Sequence, residues 1–192
     1  MKLGVFGGTF DPVHTGHLIL AQECWHQLSL DRVMFVPAHI SPFKKGCDTA
    51  GAADRLNMLR LAIGSDSRFG ISTLELDKGG VSYTIDTLKF FAEKYGAGTE
   101  LFFLAGADAA EGAPEWKDIE GILDIACFVT VTRPGYQASS LNGRENVRSV
   151  KMPLVDISSE MVRGRVKNRQ PIDYIVPRVV VEYIRNKGLY RD

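Results

Sequence analysis

Two histidines lie three residues apart near the start of the chain, at the end of the segment Gly7-Gly8-Thr9-Phe10-Asp11-Pro12-Val13-His14-Thr15-Gly16-His17. On the first turn of a helix, side chains at this spacing project from nearby faces, so both rings can reach one ligand. Imidazole nitrogens donate hydrogen bonds, and a charged imidazole attracts anions. The pair therefore indicates a phosphate site. Two metal ligands at this spacing are the competing interpretation, but no third ligand lies nearby at a recognisable metal spacing.

The histidine segment lies between a predicted strand and a predicted helix. Residues 3–6 have the apolar character of a short buried strand, and 18–28 is largely apolar and long enough for a helix. Gly7 and Gly8 allow a ligand to approach the main chain, and Thr15 is the predicted N-cap of a helix that opens at the next residue. Amide groups at such a helix start favour an anion. Isolated histidines more often cap a turn or pack, but this strand-turn-helix setting favours the phosphate site.

Length and composition bound the kind of protein. The chain has 192 residues, which suits one compact domain, and its 23 basic and 23 acidic residues create no overall field that would attract nucleic acid or membranes. Cys24, Cys47 and Cys127 are widely spaced without a C-x-x-C pair, which favours reduced thiols. The sequence has no stretch typical of a signal peptide or of a bilayer span. We therefore expect a cytoplasmic protein that acts on a small anionic substrate; a homo-oligomer is compatible with these observations.

Strand-like and helix-like segments alternate along the chain. Strands are predicted at 32–37, 69–76, 101–105, 127–132 and 150–155, and helices at 54–63, 83–94 and after Ser158 or Ser159, either of which can cap its helix. In the helix at 54–63, Leu56, Leu59 and Ile63 fall at helical spacing. The alternation predicts an α/β fold, a Rossmann-like parallel sheet with helices on both faces. Ligands of such folds bind beyond the carboxyl ends of the strands, so residues that follow strands are candidates for the site.

Two further segments that follow predicted strands carry charged and hydroxyl groups. In Asp156-Ile157-Ser158-Ser159-Glu160-Met161-Val162-Arg163, Glu160 suits the positive end of a helix and Arg163 lies one turn in. Taken alone, this segment is typical of an ordinary capped surface helix. Lys44 lies in the loop after the second strand, where a lysine is either solubilising or able to bring an ammonium group onto phosphate.

The histidine segment matches neither G-x-x-x-x-G-K-[ST] nor G-x-G-x-x-G. It resembles the G-x-F-D-P-x-H-x-G-H signature of the nucleotidyltransferase superfamily related to class I aminoacyl-tRNA synthetases, with matches at Gly8, Phe10, Asp11, Pro12, His14, Gly16 and His17. The later segment resembles the I-S-S-T-x-x-R element of the same superfamily at Ile157, Ser158, Ser159 and Arg163, with Glu160 at the position of the usual threonine. The resemblance implies that the serine hydroxyls and amides hold nucleotide phosphates, that Arg163 neutralises the triphosphate, and that Lys44 is the family's loop lysine.

Other elements narrow the resemblance to the bacterial-type nicotinate mononucleotide adenylyltransferases. Residues 82–88 are similar to their S-Y-T-x-D-T-L signature, Gly106-Ala107-Asp108 and Trp116 to their G-x-D and tryptophan region, Arg133-Pro134-Gly135 to their R-P-G turn, and 176–190 to their C-terminal helix. The resemblance implies that Trp116 stacks on the nicotinate ring and that Thr84 binds its carboxylate through main-chain amides. Asp108 is placed to accept ribose hydroxyls, and Arg133 is a weaker candidate for a phosphate. From the residues alone, a lone tryptophan is more often a core residue, and Thr84 and Asp108 can be simple helix caps.

We therefore predict one nucleotidyltransferase domain over residues 1–192, with a C-terminal helical segment (about 157–192) packed on it and a last helix that runs from near Pro177 to Gly188. The implied reaction transfers AMP from ATP to nicotinate mononucleotide and releases pyrophosphate, with Mg²⁺ carried by ATP and no metal site in the protein. Transfer to another acceptor of the superfamily, such as phosphopantetheine, and a nucleotide-binding module without turnover are the alternatives.

The predicted site residues fall into three groups. The catalytic residues are His14, His17, Arg163 and Lys44. The ATP-binding residues are Gly7, Gly8, Thr9, Phe10, His14, Gly16, His17, Gly106, Asp108, Ile157, Ser158, Ser159 and Arg163. The residues that bind nicotinate mononucleotide are Lys44, Thr84, Asp108, Trp116 and Arg133.

Overall fold

Six parallel strands form one sheet in the computed structural model of the chain, which describes residues 1–42, 49–106, 112–132, 141 and 143–191. The strands are β1 (Lys2–Gly8), β2 (Arg32–Pro37), β3 (Phe69–Ile71), β4 (Glu100–Ala105), β5 (Ala126–Thr132) and β6 (Val147–Lys151). They lie in the order β3-β2-β1-β4-β5-β6, and every neighbouring pair is parallel. The predicted parallel α/β sheet is confirmed.

Helices cover both faces of this sheet. They are α1 (Thr15–Gln27), α2 (Ala52–Ile63), α3 (Leu74–Lys78), α4 (Thr84–Tyr95), α5 (Ile119–Ile125), α6 (Ser159–Lys167) and α7 (Arg178–Lys187), with a 3₁₀ turn at Ala113–Glu115. Successive side chains of a strand point to opposite faces, so Val5 joins the hydrophobic cluster under α4 and α5, whereas Phe6 joins the cluster under α1, α2, α6 and α7. Each helix layer therefore buries its own apolar side of the sheet.

Two predicted strands have different limits in the structure. The strand predicted at 69–76 ends at Ile71, because residues 74–78 form α3. At the start of this helix, the Asp77 amide donates to the Thr73 carbonyl at 2.8 Å, and the Thr73 hydroxyl donates to Asp77 Oδ2 at 2.7 Å. The strand predicted at 150–155 is wrong in position, since β6 runs from Val147 to Lys151 in register with β5. Apolar residues continue beyond Lys151, but Pro153 has no amide to donate to a neighbouring strand.

The C-terminal helical segment packs on the first helix layer. The Tyr183 hydroxyl of α7 donates to Asp54 Oδ1 of α2 at 2.8 Å. As predicted, Pro177 precedes the first residue of this helix, and Gly188 follows its last residue with a left-handed φ of 64°. Whether the whole chain is a single domain stays a prediction. No helix within the described residues has the length and apolarity to cross a membrane.

Candidate active site

The chain leaves the two central strands, β1 and β4, toward opposite faces of the sheet. After β1 it enters α1, which packs in the cluster of Phe6, and after β4 it enters the 3₁₀ turn and α5 in the cluster of Val5. Doubly wound sheets bind ligands at such a divergence, outside the carboxyl ends of the strands. Gly7, Gly8 and Thr9 lie at the end of β1, and Gly106 follows β4.

The two histidines lie together at the start of α1. Their rings are stacked with centroids 3.7 Å apart and planes inclined by 29°. The His14 amide donates to His17 Nδ1 at 3.2 Å, which assigns the proton of a neutral His17 ring to Nε2 and makes that nitrogen a donor. The structure thus brings the predicted pair together, with His14 buried and His17 half-buried.

The predicted N-cap of α1 is wrong by one residue. His14 occupies the cap position, and Thr15 is already helical. The Thr15 amide donates to the Ile175 carbonyl at 3.0 Å and its hydroxyl to the Tyr174 carbonyl at 3.3 Å. These tertiary contacts use the Thr15 groups to hold the C-terminal segment, so the side chain does not cap its own helix.

Two glycines allow the histidine segment to pack closely. A Cβ atom at Gly16 would lie 3.0 Å from His14 Nδ1, and one at Gly8 would lie 2.9 Å from Phe10 Cζ. Phe10 is only 1% exposed, with a left-handed φ of 50°, and its ring packs edge-on against His17 at 5.1 Å. Phe10, predicted among the ATP-binding residues, therefore lies in the core and supports the His17 ring.

The start of α6 lies against the histidine segment. The Ser158 hydroxyl caps α6 by accepting the Met161 amide at 3.0 Å, and the Ser159 hydroxyl donates to the Pro12 carbonyl at 2.9 Å. Both predicted phosphate-binding hydroxyls thus have partners within the protein. The first amides of α6 have no carbonyl of their own helix to bond, and amides at the start of a helix favour an anion. The Ile157 carbonyl lies 3.7 Å from the Cβ position of Gly16, which places this segment directly beside α1.

Arg163 projects from α6 toward the same segment. Its Nη1 donates to the Asp11 carbonyl at 2.7 Å and lies 3.7 Å from Asp11 Oδ2. The arginine side chain is 30% exposed, so other edges of its guanidinium group face solvent. A guanidinium group held at one corner in this way can present its remaining donors to a phosphate.

The residues predicted to bind the nicotinate ring lie on the other face of the sheet. Thr84 is the first residue of α4, and Trp116 packs edge-on against Phe103 of β4 at 5.5 Å. Lys117, which follows Trp116, and Tyr83, which precedes Thr84, are in contact, with Lys117 Nζ 4.4 Å from the centre of the Tyr83 ring. The structure therefore brings these two predicted residues into the same region.

A buried carboxylate supports the start of α4. Glu75 of α3 is 8% exposed and accepts the Thr87 hydroxyl at 2.5 Å. Burial raises the pKa of Glu75 above its ordinary value, while hydrogen bonds from Thr87 and Ser82 oppose the shift. The Ser82 hydroxyl also accepts the His39 amide at 3.0 Å, which ties the segment before α4 to the end of β2.

Two residues that organise the site, Arg55 and Tyr190, are not predicted by the sequence. Arg55 lies in the helix in which Leu56, Leu59 and Ile63 fall at helical spacing, and the structure buries Arg55 together with Met58 and Leu59. Its spacing from those apolar residues is the signal that could have identified it. Tyr190 donates to Asp11 Oδ1 at 2.7 Å from 179 residues away, a contact without any local signal.

Three of the predicted site residues, Lys44, Asp108 and Arg133, lie outside the described residues. Within the part of the chain that the structure describes, no group of three or more His, Cys, Asp or Glu side chains has the arrangement of a metal site.

Comparison with known proteins gives concordant results. The family model described as Cytidylyltransferase-like matches residues 5–165. The chain is 40% identical to the probable nicotinate-nucleotide adenylyltransferase of Moorella thermoacetica, over 99% of this chain and 92% of that protein. It is 38% identical to the nicotinate-nucleotide adenylyltransferase of Bacillus subtilis, over 98% of each. In fold it is similar to Plasmodium falciparum nicotinic acid mononucleotide adenylyltransferase complexed with NaAD, with a TM-score of 0.83 at 19% identity over 98% of this chain and 97% of that one.

Proposed function

This chain belongs to the nicotinate-nucleotide adenylyltransferases of the Cytidylyltransferase-like family, and we propose that the site at the ends of β1 and β4 transfers AMP from ATP to nicotinate mononucleotide. The products are nicotinate adenine dinucleotide, which is deamido-NAD, and pyrophosphate. The enzyme is thus a nucleotidyltransferase of NAD biosynthesis. The observation that carries the assignment to this site is the stacked pair of His14 and His17 beside Arg163.

The chemistry requires no nucleophile from the protein. The phosphate of nicotinate mononucleotide attacks the α-phosphorus of ATP, a new P–O bond forms, and the bond to the leaving pyrophosphate breaks. A phosphate monoester has a second pKa near 6, so its oxygen is largely ionised at neutral pH without a general base. Catalysis then depends on alignment of the two substrates and on stabilisation of negative charge.

We assign the stabilisation of this charge to the histidines and Arg163. We assign His14 and His17 to the ATP phosphates around the reacting phosphorus, because the Nε2 donor of His17 is oriented by the bond from the His14 amide. Arg163, together with the amides at the start of α6, would bind the triphosphate and the leaving pyrophosphate. Lys44 is assigned to the same phosphates, as the family resemblance implies.

The acceptor side of the site is assigned to the opposite face of the sheet. Amides at the start of α4, where Thr84 lies, suit the carboxylate of the nicotinate ring, and Trp116 offers an aromatic face for stacking. Asp108 is assigned to ribose hydroxyls, and Arg133 to the phosphate of the acceptor. We assign Mg²⁺ to the ATP phosphates as part of the substrate, and the cytoplasm as the location of the enzyme.

Pyrophosphate release tests the proposal directly. The parent enzyme is incubated with ATP, Mg²⁺ and one of three acceptors, which are nicotinate mononucleotide, nicotinamide mononucleotide and phosphopantetheine, and the product is identified by mass. We expect a strong preference for nicotinate mononucleotide. Preference for the amide would retain the mechanism and overturn the assignment of Thr84, whereas preference for phosphopantetheine would overturn the acceptor. ATP binding without pyrophosphate release from any mixture would indicate a binding module instead.

A further inference from the structure

The carboxylate of Asp11 is buried between segments that are far apart in sequence. The residue is 1% exposed, and its Oδ1 accepts the Tyr190 hydroxyl at 2.7 Å and the Ala50 amide at 3.1 Å. A carboxylate without solvent depends on such donors, because an unpaired buried charge is strongly unfavourable. Tyr190 therefore provides part of what allows Asp11 to remain inside the protein.

The Tyr190 hydroxyl is held as a donor. Burial, followed by the charge of Asp11, raises the pKa of Tyr190 above its ordinary value, so the phenol keeps its proton across the working range of an enzyme. The residue lies beyond the end of α7, in a left-handed conformation with φ of 62°. The final turn of the chain thus delivers one hydroxyl group to the segment that carries the histidines.

Asp11 connects this contact to two of the assigned catalytic residues. It lies three residues before His14, and its backbone carbonyl accepts Arg163 Nη1 at 2.7 Å. A shift of the Asp11 backbone would consequently move the carbonyl that orients Arg163 and the chain that leads into the histidine pair. Ser159 holds the next carbonyl, that of Pro12, at 2.9 Å.

Hydrogen bonds from Arg55 join the loops that surround Asp11. Arg55 is 2% exposed, and its guanidinium group donates to the carbonyls of Thr9, Ala38 and Ala50 at 2.8, 2.7 and 3.1 Å. These carbonyls belong to the segments after β1, after β2 and before α2. Arg55 holds the backbone on one side of Asp11, and on the other side the bonds from the Tyr190 hydroxyl and the Ala50 amide hold its side chain.

We propose that Tyr190 is a positioning residue for adenylyl transfer, acting through Asp11 on Arg163 and on the histidine pair. The inference rests on the proposed function and adds to it that the last turn of the chain completes the active site. Tyr190 sets the geometry of groups that bind the ATP phosphates, and therefore it affects the rate of transfer more than the affinity for nicotinate mononucleotide.

The test compares two tyrosines that make the same kind of bond. Tyr190→Phe removes the hydroxyl that bonds Asp11. The control Tyr183→Phe removes the hydroxyl that donates to Asp54 at 2.8 Å and accepts from Asn57 at 3.2 Å, between α7 and α2. We expect both variants to unfold at a similarly reduced temperature. We expect kcat to fall about tenfold only in Tyr190→Phe, with an unchanged KM for nicotinate mononucleotide, since misplacing catalytic groups slows the chemical step.

A second variant shows whether Tyr190 acts through Asp11. Asp11→Asn keeps the side-chain volume and turns the acceptor of the same bond into a neutral group, so it should also lower kcat. In the double variant, the two losses should not multiply, because both changes weaken or remove the same bond. Should Tyr190→Phe fail to fold, an unchanged kcat in Asp11→Asn would overturn the inference, because the proposed connection from Tyr190 to Arg163 and the histidines runs through Asp11.

The outcomes separate this inference from the proposed function. If the parent releases pyrophosphate and Tyr190→Phe retains its kcat while losing thermal stability, the tyrosine is merely structural and the inference is wrong. An equal loss of kcat in Tyr183→Phe would overturn it as well, since the effect would then be general. A parent without turnover overturns the proposed function itself, and the inference with it.

Discussion

The imidazole rings of His14 and His17 stack at a centroid distance of 3.7 Å, although only His17 is half-exposed to solvent. The His14 amide bonds His17 Nδ1, and the Phe10 edge supports the His17 ring at 5.1 Å. Backbone, neighbouring imidazole and core thus fix one orientation of this ring. A donor fixed before the substrate binds stabilises developing charge without reorganisation during the reaction.

Replacement of the fixed donor is the first prediction. His17→Ala should leave the fold intact and lower turnover by about two orders of magnitude or more, as expected for the loss of one preorganised donor. His26→Ala, which changes an exposed histidine in the last turn of the same helix, is the matched control and should retain the parent's turnover. Steady-state kinetics with ATP and nicotinate mononucleotide measure both, and equal turnover of His17→Ala and the parent would refute the mechanism.

The close approach of α1 to the His14 ring is the basis of the second prediction. In Gly16→Ala, the added Cβ would lie 3.0 Å from Nδ1 and 3.1 Å from Cε1 of His14, so the ring must move by a few tenths of an ångström. We expect kcat to fall about tenfold, because displacement of a catalytic group reduces its alignment. Gly98→Ala adds the same methyl group where no atom lies within 4 Å, and its kcat should be unchanged. Similar kcat values for the two variants would contradict the prediction.

Trp116 provides a prediction that separates the two substrates. Trp116→Phe retains an aromatic ring against Phe103 but reduces the face available for stacking, so KM for nicotinate mononucleotide should rise about fivefold, equivalent to ~1 kcal/mol. KM for ATP should stay the same. The control is Trp25→Phe on α1, where the centre of the tryptophan ring lies 5.0 Å from Arg68 Cζ. This variant should change neither KM. An unchanged KM for nicotinate mononucleotide in Trp116→Phe would show that Trp116 only packs within the protein and does not stack on the substrate.

Glu75 predicts how stability depends on pH. Burial raises the folded-state pKa of this carboxyl above its ordinary value, so the folded state retains a proton that the unfolded state has already released. The parent should therefore lose stability as the pH rises from below the ordinary value through the raised one. Lys78 and Asp86, the charged groups that face Glu75, oppose each other, because Lys78 lowers the pKa and Asp86 raises it.

Glu75→Gln removes this titration while keeping the side-chain shape. Its free energy of unfolding, relative to that of the parent, should increase between pH 4 and pH 8, as measured by denaturant titration. Glu93→Gln replaces an exposed carboxylate of α4 and should follow the parent at every pH. If the free energy of unfolding depended on pH in the same way in Glu75→Gln and the parent, the burial of Glu75 would not cause the loss of stability.

Local sequence predicted much of the architecture and the centre of the site. The strand, turn and helix around His14 and His17 follow from apolar runs, glycines and the spacing of the two rings, and those features act over a few residues. A cap at Ser158 or Ser159 and the limits of α7 were predicted for the same reason, and the structure has the cap at Ser158. The limits of β6 were not, because its length depends on its register with β5.

The sequence by itself therefore determined the fold class and the family, and it identified the segment proposed to bind phosphate, since each depends on residue types at short spacings. Only the tertiary structure decided what holds that segment in place. The bonds of Tyr190 to Asp11, of Arg55 to the carbonyls of Thr9 and Ala38, and of Ser159 to Pro12 join distant parts of the chain. These bonds form because the folded backbone brings polar groups from distant segments together in the interior, where each buried polar group needs a hydrogen-bond partner.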